Sequence, residues 1–431
     1  MSGDGLPLGQ LRVWDARVPA DREAWIAAWE RIADGDPFSH PDYLTAFAAD
    51  GETALCAHLD GPDDEELLHA FLRRPIREDA CGNAVGGGLW DAYTVLLYGG
   101  PLAKRSSESL LAAFRRSFRA WARETGLVSE FVRMSPVAAR RLPYPGVVRE
   151  QAPHVVRDLR VGELDEVWAD VRSNVRRGVT KARAAGLTVA IDETGERLDD
   201  FLRIYEETMD RVGSADRFRF PASAFRRIHE SLPGRYAYVY AEHEGRAVAV
   251  ELVLRGEHTG YFYLGGTETA ALPLYASVFV HWEAIAYAWR EGLTDYVLTG
   301  GVTNTTDDSL LRFKRGFAPR GEALYLTGEQ VFDEDAYARL RCCTTSGEQT
   351  TFFPAYRAPR GERTCARRDG DAVAPNGSDL HTDPMLTPTP APTTPTPTPA
   401  DTTTSTPTPT PADSPTPTPV SGVRTTAGVA S

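Results

Sequence analysis

Two basic segments stand out in an acidic chain. One is Arg312-Phe313-Lys314-Arg315-Gly316-Phe317. The other carries Arg172, Arg176, Arg177, Lys181 and Arg183, five cations within twelve residues. On a helix Arg172, Arg176 and Arg183 share one stripe and Arg177 and Lys181 the next. Such density forms a local positive patch, suited to anionic ligands if it is more than a solvated helix face. Glycine pairs follow two apolar runs, Gly265-Gly266 after Tyr261 to Leu264 and Gly300-Gly301 after Tyr296 to Leu298. A glycine at a strand end lets a ligand approach the backbone, on the edge where open α/β sheets bind substrates. No Gly-x-Ser-x-Gly elbow, metal-spaced histidine pair or Cys/His arrangement is found. Neither a covalent nucleophile nor a metal centre is therefore predicted. His281 reads as a structural histidine, and Glu283 as a buried cap or ion pair inside a helix.

The elements that must hold these residues follow from periodicity. A strand ending at Gly265, an amphipathic helix from about Leu274 to Arg290 and a strand ending at Gly300 predict a parallel βαβ unit. Ahead of it lie a helix from Glu163 into the basic segment, a strand Val189 to Ile191, and helices Leu198 to Arg211 and Ala222 to Ser231. Strands Tyr236 to Glu242, Arg246 to Arg255 and Thr259 to Leu264 alternate with glycine turns. The first half predicts a helix capped by Asp21 that carries Trp25 and Trp29. It continues with a short helix Asp42 to Ala49, strands Ala54 to Leu59 and Leu67 to Arg73, and a flexible loop Gly82 to Gly88. A strand Asp91 to Tyr98 ends at Gly99-Gly100, and a helix Ser107 to Thr125 has Leu110, Phe114, Phe118 and Trp121 in one stripe. The recurring glycine endings fit two related domains. The fold class expected is α/β (α+β), with domains over 1–155 and 156–340 and a disordered low-complexity tail over 341–431.

Composition sets outer limits. The 431 residues are 42% hydrophobic, enough for two cores. A net charge of −13 argues against a general nucleic-acid binder, so DNA is not an expected partner. The N-terminus shows no signal-peptide pattern, and no apolar run approaches a membrane span. Five cysteines without a Cys-x-x-Cys pair suit a reducing cytoplasm, the compartment expected. From about Pro384 the chain is dominated by Thr-Pro repeats that cannot bury a core.

The second half resembles the Fem family of peptidoglycan-bridge ligases, aminoacyl-tRNA-dependent aminoacyltransferases built on two acetyltransferase-like (GNAT) domains. The resemblance rests on Tyr263 to Gly266, Trp282-Glu283-Ala284-Ile285 with Ala288, Gly292, Tyr296, Gly300-Gly301 and Arg312 to Phe317. It extends to Asn174 through Leu187 and to Tyr205, Thr208 and Arg211. It implies amide formation, in which an acceptor amine attacks an already activated aminoacyl ester, most simply on the stem peptide of a peptidoglycan precursor. It implies that Lys314 lies at the reaction centre, stabilising negative charge or relaying a proton. Phe313 would stack on a terminal tRNA base. Arg312, Arg315, Arg176, Arg177 and Lys181 would meet phosphates. Arg211, Tyr263, Gly265, Gly266, Gly300 and Gly301 would complete the substrate site, with Tyr98 to Leu102 lining the acceptor side. No cofactor is implied. The alternatives are an N-acetyltransferase using acyl-CoA and a tailoring enzyme that acts on a natural-product amine. The nearest approach to a CoA-cradling loop, Arg183 to Thr188, precedes a strand rather than a helix.

Overall fold

The computed structural model describes residues 9–213, 219–341 and 352–358. The strands in chain order are β1 (Arg12–Asp15), β2 (Thr53–Asp60), β3 (Glu66–Pro75), β4 (Trp90–Tyr93), β5 (Gly100–Arg105), β6 (Leu127–Arg133) and β7 (Val147–Glu150). They continue with β8 (His154–Asp158), β9 (Thr188–Asp192), β10 (Tyr236–His243), β11 (Arg246–Arg255), β12 (Thr259–Thr267), β13 (Asp295–Thr299), β14 (Glu322–Ala323) and β15 (Leu326–Val331). The helices are α1 (Pro19–Ile32), α2 (Pro41–Phe47), α3 (Glu108–Glu124), α4 (Leu164–Asp170), α5 (Ser173–Ala184), α6 (Leu198–Arg211), α7 (Ala222–Ser231), α8 (Ala276–Arg290), α9 (Ser309–Lys314) and α10 (Glu334–Leu340).

Two sheets share one plan. In the first, β1, β2, β3 and β4 run antiparallel, β4 pairs in parallel with β6 across α3, and β15 and β7 close the edge antiparallel. In the second, β9 to β12 run antiparallel, β12 pairs in parallel with β13 across α8, and β8 and β14 follow antiparallel. The crossover helices are made by sequence. Ser107 caps α3 by accepting the Leu110 amide at 3.2 Å, and its Leu110, Phe114 and Phe118 face the first sheet's core. Almost every residue of α8 from Phe279 to Ala288 is buried, as an apolar helix without a polar face must be.

A third core fills the space between the two halves. Phe38 meets Tyr261 at 4.8 Å between ring centroids, and the Tyr43 hydroxyl donates to that of Tyr263 at 3.3 Å. The sheets are therefore joined by close-packed aromatics rather than by a wet seam.

Several expectations change in detail. α1 starts at Pro19, so Asp21 lies inside it and accepts the Asp15 amide at 3.1 Å. The single strand expected over Asp91 to Tyr98 stops at Tyr93, and Leu97 takes a left-handed φ of +67° ahead of β5. The chain crosses back after β14, because β15 is the partner that β6 and β7 need, so the first sheet is completed from beyond residue 325. Residues Phe352–Ala358, inside the stretch read as tail, also pack on the first sheet. Phe353 and Tyr356 are buried with Tyr337 and Phe131. Cys56 is a buried free thiol, whereas Cys81 is disulfide-bonded, contrary to a fully reduced set. Cys342, Cys343, Cys365 and the Thr-Pro repeats lie outside the described residues. No helix among the described residues is long and apolar enough to cross a membrane.

Candidate active site

Lys314 ends α9, and Asp308 starts that helix. The Asp308 carboxylate accepts the amides of Leu310 and Leu311 at 2.8 and 2.9 Å and those of Val302 and Thr303 at 3.0 and 2.9 Å. Burial by itself raises a carboxyl pKa, but these donors outweigh it and hold Asp308 below its ordinary range. Gly301 makes the approach possible, since a Cβ there would fall 2.3 Å from the Asp308 carboxyl carbon. The polar loop after β13 is thus folded around one carboxylate, which fixes the direction in which α9 delivers Lys314.

Lys314 is 2% exposed. Its Nζ donates to Thr299 Oγ1 and to the Gly300 carbonyl, both at 2.7 Å, and lies 4.9 Å from the Phe262 ring centroid. Thr299 holds a φ of +65°, costly for a β-branched residue, at the end of β13. Burial pushes the Lys314 amine down to about 7, with Glu251 and Asp308 pulling the other way. A lysine so placed can exchange a proton near neutrality.

Glu251, buried in the middle of β11, supplies the charge behind this site. It accepts from the Tyr296 hydroxyl through Oε1 and pairs with His281 Nδ1 through Oε2. Burial and the Glu251 charge drive the Tyr296 phenol far up. His281 is enclosed by Phe262, Phe313 and Phe317. Phe313 is half-buried against His281 and Phe317 rather than standing free. Glu283 pairs with Arg183 at 2.8 Å, the ion pair expected of it.

A small cleft opens where the halves meet, lined by Gly300, whose carbonyl Lys314 holds from behind the wall. Its wall combines Phe131, Arg133 and Thr327 of the first sheet with His154, Gly300, Gly301 and Tyr325. Gln151 and Asn304 face each other across it, Nδ2 of Asn304 donating to Oε1 of Gln151 at 2.7 Å. Tyr98, buried behind the wall, reaches His154. Leu102 lies on β5, paired with Leu68 rather than with this cleft.

The basic residues divide. α5 meets the end of α9, because the Arg172 amide donates to the Gly316 carbonyl at 2.9 Å. This brings the two basic segments together. Arg177 is exposed and has no ion pair among the described residues. Lys181 donates to the Tyr275 hydroxyl at 3.3 Å, and Arg312 to the Asp307 carbonyl at 3.1 Å, both from exposed positions. Arg176 instead closes the α4–α5 turn through the Ala169 carbonyl at 2.9 Å, and Arg315 pairs with Glu322 at 2.7 Å. Arg211 donates to the Thr267 carbonyl at 2.7 Å. Tyr263 lies in the core between the halves, and Gly265 and Gly266 remain inside β12, opposite Glu251 and Val250. A Cβ on Gly266 would stand 2.9 Å from the Ile204 carbonyl, so this glycine seats α6 on the sheet. Of the two glycine pairs, only Gly300-Gly301 borders the cleft.

Sequence reasoning missed Glu251, His154, Thr299 and Asp308. Glu251 left a signal, a lone carboxylate in the apolar run Ala247 to Leu254. His154 left none, because its importance comes from β8 lying between β13 and β14.

Comparison with known proteins bears on the fold and the class of the chain. Residues 169–315 match the acetyltransferase (GNAT) domain family. The match falls within the second half of the chain. Over 159 residues the chain is 29% identical to the UDP-N-acetylmuramoylpentapeptide-lysine N(6)-alanyltransferase of Weissella viridescens, covering 36% of this chain and 46% of that relative. The Fem-like match thus spans a little under half of that curated enzyme. The crystal structure of FemX superposes with a TM-score of 0.53 at 13% identity, over 74% of this chain and 98% of that one. The tandem GNAT-like fold expected from the Fem-like motifs is therefore present.

Proposed function

We propose that the protein is an aminoacyltransferase that moves an aminoacyl group from aminoacyl-tRNA to the amine of a peptidoglycan precursor stem peptide. The observation that carries this reading is Lys314, a buried amine with a pKa near neutrality, bonded to the carbonyl of Gly300 in the wall of a cleft built from both halves. The acyl ester arrives activated, so the chain needs only to place the amine, manage one proton and stabilise the oxyanion. Lys314 is the proton-handling group. The exposed cations Arg177, Lys181 and Arg312 are the phosphate contacts, drawn to donor or precursor. The alanyl transfer named for the Weissella viridescens relative supports this class of acceptor.

Acyl-CoA as donor is the second reading, favoured by the acetyltransferase domain match. Against it, Gly186 follows the C-terminus of α5 and leads into β9, the helix end that repels a pyrophosphate. The full chain is incubated with a pool of cellular aminoacyl-tRNAs or with acetyl-CoA, with and without UDP-linked muramoyl pentapeptide. Precursor-dependent deacylation of one tRNA is expected. Thioester loss without any effect on tRNA would overturn the proposal.

A further inference from the structure

The cleft wall holds a second group with chemistry to offer. His154, at the start of β8, is 7% exposed and stacks on Tyr325 at 3.9 Å between centroids. Its Nδ1 lies 2.5 Å from the Tyr98 hydroxyl. That hydroxyl has no other hydrogen-bond partner among the described residues, and its burial keeps it protonated far above the ordinary phenol range. A buried O–H donates wherever an acceptor is offered, so Nδ1 accepts and the imidazole proton sits on Nε2. The groups facing the ring are Tyr98, Tyr325 and the Lys314 amine. No carboxylate pairs with it among the described residues. Burial and the Lys314 charge push His154 down to about 3, so the ring is neutral at working pH. Nε2 lies against Gly300, where a Cβ would come within 2.8 Å of it. The Gly300 carbonyl accepts from Lys314 Nζ at 2.7 Å. Lys314 and the Nε2 edge of His154 therefore flank one glycine at the wall of the cleft.

We propose that His154 is a catalytic hydrogen-bond donor whose Nε2–H, set by Tyr98, holds the acyl carbonyl oxygen as the acceptor amine adds. This rests on the acyl-transfer reading above. The amine lone pair forms the C–N bond, and the carbonyl π pair moves to oxygen, where Nε2–H meets it. Collapse reforms C=O and breaks the bond to the donor oxygen, which leaves with the proton shed by the amine. A neutral donor serves this step because it gives a preorganised hydrogen bond without first having to be charged. Tyr98 acts through His154 and is a positioning residue.

The test reads the ring and the reaction separately. Histidine side-chain 15N spectra of the full chain are expected to show His154 as a single neutral Nε2–H tautomer from pH 5 to 9. Tyr98→Phe is expected to mix the tautomers and lower kcat about tenfold at constant KM. His154→Ala is expected to lower kcat by about 10²–10³-fold, with His154→Gln restoring part of the loss through its amide N–H. Should the alanine variant fail to fold, the glutamine and phenylalanine variants carry the same comparison. An Nδ1–H tautomer, titration of His154 near 6.5, or a wild-type kcat in the alanine variant would overturn the proposal alone. A wild type inactive with every acyl donor overturns the parent reading and this one with it.

Discussion

At the scale of single residues, the role proposed for Lys314 and the stability of the fold pull in opposite directions. The unfolded chain holds the lysine proton up to its ordinary value of 10.5, whereas the folded chain releases it near 7. Between those values the unfolded state binds more protons, so this group makes stability rise with pH. Below pH 7 the full penalty applies, on the order of 4 kcal/mol at neutrality. Lys314→Met is expected to abolish turnover and yet raise stability at pH 7. Part of the gain is offset because Thr299 and the Gly300 carbonyl lose their donor. The stability gain should narrow towards pH 10.5, as denaturant unfolding at pH 7 and pH 10 would show. A variant that is less stable at both would mean that the amine is well solvated by its neighbours. The segment that carries Lys314 was legible in the sequence because Arg312 to Phe317 is a dense local motif. Its surroundings were not. Glu251, Thr299 and His154 come from three different strands, and no local pattern records that β8 is inserted beside β13.

At the scale of elements, the helices and the βαβ unit were readable because burial on one face writes a period into the sequence. The glycine pairs were harder. Both follow an apolar run, but only one ends a strand at the cleft. Strand length is fixed by pairing: β11 continues alongside β12, so Gly265 and Gly266 stay in register with Glu251 and Val250. Gly266→Ala separates the two roles. Its Cβ would meet the Ile204 carbonyl at 2.9 Å and Thr208 Oγ1 at 2.7 Å, so α6 must shift outward. The expected outcome is a loss of about 1–3 kcal/mol in stability, with KM for both substrates unchanged at a temperature where the variant is folded. A rise in KM without a stability loss would place the glycine at the substrate after all.

At the scale of the whole molecule, the two halves are not consecutive beads. β15 has the weak pattern Leu-Thr-Gly-Glu-Gln-Val, and nothing in it states which sheet it will join. Tertiary pairing decides that, and it returns the chain to the first sheet. The same return carries residues 352–358 onto that sheet, where the Tyr356 and Ser129 hydroxyls lie 2.8 Å apart. Arg357 reaches Asp91 at 2.8 Å and the Pro75 carbonyl at 2.9 Å. Asp91 is buried and also held by Arg74, so this clasp closes an ion-pair network over a hydrophobic floor of Phe131 and Tyr337. Compositional reading places this segment with the Thr-Pro tail, because seven packed residues cannot outweigh the low-complexity sequence that follows. The full chain carrying Phe353→Ala and Tyr356→Ala should therefore be less stable than the wild-type chain. Losing the two rings removes about 1.5–3 kcal/mol for each fully buried one, or roughly 4–8 °C in Tm for the pair at this size. The cleft shares this face of β6, because Ser129, Phe131 and Arg133 alternate onto one side of the strand and Phe131 belongs both to the floor of the clasp and to the wall of the cleft. Activity well below the Tm should for that reason fall in the double variant, and thermal inactivation should quicken. Equal melting temperatures for the two chains would show that the clasp adds nothing, and full activity at low temperature would show that Phe131 holds its place in the cleft wall without it.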